Sequence, residues 1–418
     1  MSTKAQDLLE LGRMSFEWAR VHMPVFHLVE QYLRSEIHSR KNLFQGLRLA
    51  ACLHVSKETA VLISSLHSFG VEINLVAANP LSSQDDIVAF LRAEGVSVAA
   101  RSDETSDEYS SNIKSAARSE PDLIVDDGGE LHVAYAATNS VCCLGGTDET
   151  TTGTFRLKAL DARRKLRYPT IPVNEAKTKH TFDNKYGTGQ SAIDGLIRAT
   201  GLLLAGKTVV IAGYGWIGKG ISGRTRGLGA RVVVTEVDAV KALEAKLDGF
   251  QVVPMMEAAK IGDMFLTCTG QIDVINSDHF RIMKDGAILG NVGHFDQEIN
   301  VPALNSMGSK IENVRRNITK IELEGKSLFL LCQGRVINLV ASDGHPPEIM
   351  QISFANQILS IYYLLVHQKE LRKRKNKLVS FPEEIDRLVS DFCLKGFDLK
   401  IDKLNEKQKR YSRSFLRR

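Results

Sequence analysis

Thr208-Val-Val-Ile-Ala-Gly213-Tyr-Gly215-Trp-Ile-Gly218-Lys-Gly220 reads as an apolar strand, a glycine turn and the opening of a helix. A bare GxGxxG is weak evidence, but here the context agrees with it. The next apolar run, Arg231-Val-Val-Val-Thr235, leads into Glu236, 18 residues past Gly218. Gly213 permits the tight turn, Gly215 lets backbone approach a pyrophosphate, and Gly218 permits close helix–strand packing. The helix start, with Trp216 and Ile217, aims N–H groups and the positive dipole end at that phosphate. Glu236 is suited to accept from both hydroxyls of an adenosine ribose and to repel a 2′-phosphate, which favours NAD over NADP. Asp238, past the strand end, is the substitute for Glu236. A glycine-rich packing turn is the bland alternative.

Two further runs, Met264-Phe-Leu-Thr267 and Ala287-Ile-Leu-Gly290, extend this series into a sheet of its own. An earlier series precedes it: Leu47–Leu53, Val71–Ala77 and Leu123–Val125 read as buried strands. Ile87, Val88, Phe90 and Leu91 fall at helical spacing between them. Short apolar runs alternating with amphipathic helices indicate parallel, doubly wound sheets. The expected class is α/β, with two doubly wound parallel-sheet lobes (a substrate lobe and a Rossmann NAD lobe) and a short helical C-terminal extension. The expected boundaries are 1–178 for the substrate lobe, completed by 348–385, then 179–347 for the NAD lobe and 386–418 for the extension.

A length of 418 residues exceeds one ordinary domain, and 43% hydrophobic with 25% charged residues excludes a mainly disordered or fibrous chain. No apolar run opens the chain, which argues against a secretory signal. The stretch Ile352–Val366, interrupted by Ser353, Asn356, Gln357 and Ser360, reads as too short and too polar to span a bilayer. Six cysteines form no CxxC and no ligand-spaced group, which argues against a zinc site and for a reduced, cytoplasmic protein. From His367 onward 16 Lys+Arg face 8 Asp+Glu, while the first 366 residues carry 38 against 41. The basic run Arg372-Lys-Arg-Lys375 has no aromatic interleaving and reads as a solvated face. Neither a nucleic-acid nor a membrane partner is expected.

Four other segments gather polar groups where the first sheet's carboxyl edge should lie. They are Leu53-His54-Val-Ser56-Lys-Glu58-Thr59, Asp126-Asp127-Gly-Gly, Asp148-Glu149-Thr150-Thr151-Thr152-Gly153, and Asn174-Glu-Ala-Lys177-Thr-Lys179-His-Thr-Phe-Asp183-Asn184. Singly, each has a dull reading: His54 a core histidine, Asp126 a turn former, Glu149 a cap, the lysines a solvated loop. Together they put a lysine, acids and a histidine in the lobe opposite NAD, where a ligand crevice belongs.

The motifs in fixed order carry a resemblance. Cys52-Leu-His54, Asp126–Gly129, Glu149–Gly153, Lys179–Asn184, Gly213-Tyr-Gly215, Asn291-Val-Gly-His-Phe-Asp296, Asn338 and Gly344-His-Pro346 resemble the S-adenosyl-L-homocysteine hydrolase family from about His22 to about Tyr411. Tyr186-Gly-Thr-Gly-Gln-Ser191 and Asp343-Gly-His-Pro look like its archaeal and Thermotoga-like branch.

The resemblance implies reversible hydrolysis of S-adenosyl-L-homocysteine to adenosine and L-homocysteine, with tightly bound NAD recycled within the site. Oxidising the ribose 3′-hydroxyl acidifies the 4′ hydrogen; elimination then expels the thiolate, water adds, and hydride returns. By similarity Lys179 is the 3′-hydroxyl base, with a pKa lowered by burial, and Asp183 with Asn184 orients it. Glu149 binds the ribose hydroxyls, Asp127 and His54 move protons at C4′ and C5′, and His294 lies near the sugar. Ser56, Glu58, Thr59, Asp343 and His345 are implied on the substrate side, with Asp343 accepting from the adenine amino group. Thr150, Thr151, Thr152, Asn184, Thr269, Val292, Gly293, His294, Asn338 and His345 are implied around NAD, beside the glycine turn. No metal is implied.

Thr188 stands where animal relatives carry a cysteine. The animal C-terminal Lys and Tyr that complete a neighbour's NAD site have no counterpart in Tyr411–Arg418, which leaves Lys407 or Tyr411 for that task. The family further implies a homo-oligomer, tetramer or dimer, in one-carbon metabolism and the methyl cycle. The alternatives are S-inosyl-L-homocysteine hydrolysis, a nucleoside lyase or dehydratase of the same machinery, and a non-catalytic NAD-binding regulator. The chemistry-bearing residues are retained, which argues against the last.

Glu236 generates a direct test. The purified protein should bind NAD at least about tenfold tighter than NADP, and Glu236→Ser with a neighbouring basic residue should narrow that ratio. Equal affinities for the two would remove the role given to Glu236.

Overall fold

A computed structural model describes residues 3–40, 43–79, 81–294 and 296–414; Phe295 of the Asn291–Asp296 motif and residues 415–418 of the tail lie outside them. Among the described residues the first sheet contains β1 (Arg48–Leu53), β2 (Glu72–Ala77), β3 (Ser97–Ala99), β4 (Leu123–Asp126), β5 (Gly145–Asp148) and β6 (Thr170–Pro172). The second contains β7 (Thr208–Ala212), β8 (Arg231–Thr235), β9 (Gln251–Val252), β10 (Met264–Thr267), β11 (Ile288–Asn291), β12 (Lys310–Arg315), β13 (Ile318–Leu323) and β14 (Lys326–Leu331).

Order in the first sheet is β3-β2-β1-β4-β5-β6, all parallel. The second runs β12-β13-β14-β11-β10-β7-β8-β9, parallel from β9 to β14. Two doubly wound α/β lobes are therefore present, as the apolar runs indicate. The second carries an addition that the runs did not reveal, since β12 and β13 pair antiparallel on its edge. β12 is largely exposed and mixes charged with apolar residues, so it has no buried run to read.

Each sheet reverses its winding beside its first strand, between β1 and β4 and between β7 and β10. Ligand crevices open outside the carboxyl ends of strands at such points. The two lobes present these edges to each other: His54 follows β1, Asp127 follows β4, and His294 arrives after β11 from the other lobe. One ligating atom from each of the three lies within 4.8 Å of the others.

The chain crosses between lobes twice. The outward crossing comprises helix Lys177–His180, a π-helical turn Asp183–Thr188 and helix Gly189–Thr200, and the return follows helix Ile337–Val340. A Cβ at Gly187 would press on the His345 ring at 3.1 Å, so the crossings touch where glycine allows it.

Helix Pro347–Val366 corrects one expectation. It runs 20 residues and is long and apolar enough to cross a bilayer by length and composition. Most of it is nevertheless buried in the first lobe's core, where Ile352, Phe354, Ala355, Ile358 and Ile361 pack with Phe26, Val29 and Leu33. Three of its polar residues serve as tethers. Gln351 Oε1 accepts from Val25 N at 2.7 Å, Asn356 Nδ2 donates to Thr178 Oγ1 at 2.9 Å, and Ser353 Oγ donates to Asp183 Oδ2 at 3.0 Å.

The boundary expected at 386 falls inside helix Glu383–Gly396. Ile385, Val389 and Phe392 of that helix lie in the same core, so the first lobe's packing continues past it.

Ile358, fully buried mid-helix, is the place to test this core. Ile358→Ala should lower stability by about 2–5 kcal/mol and Ile358→Val by about 0.5–1.5. A fall in the urea midpoint without a change in slope is the expected reading, and an unchanged midpoint would contradict the packing described.

Candidate active site

The cofactor side begins at β7. Gly213 adopts φ +100°, and a Cβ there would crowd Cys268 O at 3.0 Å. A Cβ on Gly218 would collide with Gly213 O, while one on Gly215 would meet nothing within 4 Å. Helix Trp216–Gly227 starts at Gly215 with no side chain capping it, leaving its N–H groups for a phosphate. Glu236 turns back over the loop: its Oε2 accepts from Tyr214 N at 2.7 Å and its Oε1 from Val237 N at 2.7 Å. Asp238 is spent as the cap of helix Ala239–Leu247, which leaves Glu236 as the acid facing the turn.

Opposite that turn, Val292 is buried and Gly293 N donates to Asn291 Oδ1 at 2.8 Å. Thr269 donates through N and Oγ1 to Glu298 Oε2 at 2.8 and 2.7 Å, and Gly270 N donates to Glu298 Oε1 at 2.9 Å. Glu298, a buried carboxylate that shapes this loop, had no motif to announce it. Asn338 is buried, and its Oδ1 has no hydrogen-bond partner among the described residues. Such an orphaned acceptor suits a carboxamide N–H. With an open helix start, a glycine cradle and Glu236, the residues fit NAD.

The substrate side centres on Lys179, 4% exposed at the side chain. Its Nζ lies 2.8 Å from Asp183 Oδ2 and donates to Asn174 Oδ1 at 3.1 Å. Burial acts to lower the lysine pKa, but Asp183 and Glu149 outweigh it and hold the ammonium above its ordinary value. The expected downward shift is thus reversed, because the sequence shows the burial and not the two carboxylates around it. Burial also opposes ionisation of Asp183, yet Lys179 and His345 keep that carboxyl well below the ordinary range. His345 Nδ1 lies 2.6 Å from Asp183 Oδ1, and its Nε2 is 3.1 Å from Thr188 Oγ1 and 3.4 Å from Asn338 Nδ2. Asn184 follows in the same π-helical turn.

Glu149 is buried with Oε1 unpartnered, and burial pushes its carboxyl up to about 8, with Lys179 pulling down and Asp127 pushing further up. His54 Nε2 sits 3.5 Å from Asp127 Oδ2 and its Nδ1 2.6 Å from Ser82 Oγ. Burial lowers His54 to about 4 in spite of Asp127, so its ring is neutral near pH 7. His294 Nδ1 lies 3.9 Å from Asp127 Oδ1, and burial lowers its pKa as well. Ser56 caps helix Lys57–Ser68, accepting from Thr59 N, and donates to Glu58 Oε2 at 2.8 Å. Thr59 Oγ1 donates to His54 O at 2.6 Å.

The remaining candidates surround these groups. Thr150 caps helix Thr151–Ala162, and Thr151 Oγ1 accepts from Asn174 Nδ2 at 2.9 Å, with Thr152 in the helix's first turn. Trp216 is half-exposed, with its ring 5.8 Å from His180. Asp343, 62% exposed, pairs with Arg198 at 3.0 Å and faces Lys57 at 3.9 Å. That places it toward solvent. Lys407 is exposed on the tail. Asn174 was in plain view five residues before Lys179, and a lysine needing a neutral acceptor was the signal for it.

A Rossmann lobe facing a second doubly wound lobe, with a buried Lys–Asp pair and a His–Asp–His group between them, defines a two-lobed, NAD-binding enzyme. The profile described as "S-adenosyl-L-homocysteine hydrolase, NAD binding domain" matches residues 184–344, and "S-adenosyl-L-homocysteine hydrolase" matches residues 2–141. The chain is 47% identical over 420 residues to an adenosylhomocysteinase of Sulfurisphaera tokodaii, covering 99% of both. It is 49% identical over 404 residues to one of Aeropyrum pernix, covering 96% of this chain and 95% of the other. An S-inosyl-L-homocysteine hydrolase of Methanocaldococcus jannaschii is 44% identical over 408 residues, covering 97% and 96%. The chain belongs to the S-adenosyl-L-homocysteine hydrolase family, and its cofactor is NAD.

Glu149 makes the ligand-free protein pH-sensitive. Folded, its carboxyl keeps a proton to about pH 8; unfolded, it releases it near the ordinary value of 4.5. The stability this contributes is complete below the lower value and is lost as pH rises through the upper one. Urea midpoints of the parent should therefore fall more steeply from pH 5 to pH 9 than those of Glu149→Gln. Parallel curves would contradict the burial-driven shift.

Proposed function

We propose that this enzyme reversibly hydrolyses S-adenosyl-L-homocysteine to adenosine and L-homocysteine. The observation that carries it is the Lys179–Asp183 pair at 2.8 Å beside unsatisfied Glu149, across from the His54–Asp127–His294 group. A vicinal diol suits Glu149, which accepts from both hydroxyls, while Lys179 takes the 3′-hydroxyl proton with Asp183 and Asn184 holding its position. NAD, held by the Gly213–Gly218 turn and Glu236, would supply hydride acceptance and return at ribose C3′, and its ring charge would oppose a second cation at Lys179. Asp127 takes the C4′ proton made acidic by the neighbouring ketone. Neutral His54, fixed by Ser82 and 3.5 Å from Asp127, relays the proton taken from C4′ to the departing 5′ sulfur and later accepts a proton from the adding water, and His294 borders the sugar. Ser56, Glu58 and Thr59 line the far side of the substrate, and Asn338 Oδ1 accepts from the cofactor's carboxamide. Thr150, Thr151, Thr152, Thr269, Val292 and Gly293 border the cofactor.

The substrate lobe is assigned 1–178 with 348 onward through helix Glu383–Gly396, and the NAD lobe 179–347. The exposed Leu399, Ile401 and Leu404 of the extension support a homo-oligomer, a tetramer or dimer, in which a second copy covers them. A cytoplasmic location fits the six free cysteines. Solvent-facing Asp343 keeps the inosyl thioether as the second reading, and thiol release from each thioether decides between them.

Adenosine alone has the 3′-hydroxyl but no thiol to expel, so it should reduce bound NAD and give an NADH absorbance band. Lys179→Ala should slow that band by roughly 10²–10⁴-fold. Asp127→Asn should leave it and depress thiol release from the full thioether. If both variants form the band at the parent rate, this division of labour is wrong.

A further inference from the structure

Two acidic dipeptides end neighbouring strands, Asp126-Asp127 on β4 and Asp148-Glu149 on β5. The strands are parallel, with Asp126 directly opposite Asp148. The outer member of each dipeptide belongs to the site; the inner members are fully buried. Asp126 accepts from Asp127 N and His132 N, both at 2.9 Å, and its own carbonyl accepts from Glu149 N at 3.1 Å. Asp148 Oδ1 accepts from Thr150 N at 2.9 Å and Thr150 Oγ1 at 3.2 Å, while its Oδ2 is buried without a partner. Gly153 has no side chain because Asp148 occupies that space. One atom each of Asp126, His132 and Asp148 lies within 4.8 Å of the others.

The cluster is not built for a cation. His132 Nε2 faces Thr147 O at 3.1 Å and its Nδ1 faces Tyr168 Oη at 2.7 Å, so both ring nitrogens are engaged and the ring stays neutral. The ionisable groups around the pair are Cys52 from β1, Asp127 and Glu130 beyond β4, Tyr109 from helix Ser106–Arg118, Tyr168 and Glu149, and the cation of helix Thr151–Ala162, Arg156, is turned to Glu130 at 3.4 Å and to Gly128 O at 2.9 Å. Two bare carboxylates there, beneath a third and a fourth, would repel without compensation.

We infer that Asp126 and Asp148 share one proton, and that this half-neutral pair positions Asp127 and Glu149 and shields them from added negative charge. Burial raises Asp126 to about 7 and Asp148 well above its ordinary range, in keeping with that geometry. Deprotonation of the pair at high pH would make Glu149 harder to ionise and part the two strand ends. The inference rests on the hydrolase reading above for its kinetic consequence, but the proton itself does not depend on that reading.

The test has two arms. In the kinetic arm, Asp148→Asn imitates the neutral member. It should keep thiol release at pH 7 within about threefold of the parent and move the alkaline limb of the pH profile upward by about one unit. A profile superimposed on the parent's, or a loss of thiol release at pH 7 with NAD and adenosine still bound, would overturn the inference. The spectroscopic arm uses infrared spectra of the Glu149→Gln protein, which lacks that residue's own proton. A protonated-carboxyl stretch should be present at pH 7, fade as pH rises, and be lost when Asp148→Asn is added. Its absence at pH 7 sinks the proposal even if Asp148→Asn does not fold. A parent protein that releases no thiol would instead sink the hydrolase reading and leave the infrared band intact.

Discussion

A lysine ammonium taken out of water needs a partner at hydrogen-bond distance, and Lys179 finds Asp183 one helical turn away at 2.8 Å. Asp183 in turn is reached by Ser353 from the long core helix and by His345 from the return crossing. The buried charge thus ties three separated stretches together at the joint between lobes. Removing one partner would leave the rest uncompensated, which is why breaking such a pair costs far more than its net worth. The π-helical turn Asp183–Thr188 lies at this joint. Extra residues in a helical turn re-aim side chains, and such turns gather at functional sites.

The same logic governs the acids. Asp127, Glu149 and Asp183 crowd around a single ammonium with Asp126 and Asp148 on the strands behind them, and the five cannot all ionise in a medium poorer than water. The structure divides them by partner. Asp183 has Lys179 and His345 and keeps its charge; Glu149 has a share of Lys179 and no hydrogen bond to Oε1, so it holds a proton to about pH 8. A site sorted in this way contains carboxyls in both protonation states near neutral pH, the condition for running acid and base steps with one residue type.

Much of the architecture was legible because parallel strands buried on both faces read as apolar runs. β1, β2, β4, β7, β8, β10 and β11 each show one. β5 does not: Gly145-Gly-Thr-Asp148 has no branched aliphatic residue, and its place comes from pairing with β4 and β6. β12 and β13 escaped because an exposed antiparallel edge needs no continuous apolar run. Helix Pro347–Val366 is longer and more apolar than the interrupted stretch Ile352–Val366 suggested, because three of its polar residues, Gln351, Ser353 and Asn356, are internal tethers. Within the site, His54, Asp127, Glu149, Lys179 and Asp183 stand out as residue types in motifs. Glu298 and the inner pair Asp126 and Asp148 take their meaning from contacts far apart in the chain or across strands, and no local pattern encodes those. The sign of the Lys179 shift failed for that reason too, since burial is visible in a sequence and a surrounding pair of carboxylates is not.

His345 shows how the two lobes are made to act on one substrate. Its Nδ1 faces the Asp183 carboxylate, so that nitrogen carries the proton and Nε2 is left as an acceptor. Nε2 then takes the Thr188 hydroxyl and the Asn338 amide nitrogen, and this sets the amide's orientation. With its nitrogen turned to the imidazole, Asn338 presents Oδ1, the buried atom left without a donor among the described residues. The charge state of Asp183 on the lysine side is thereby linked through one ring to the acceptor on the cofactor side. Losing the Asp183 charge would free the imidazole tautomer and, with it, the amide. The buried pair that holds Lys179 in place therefore also bears on how the Asn338 amide is turned.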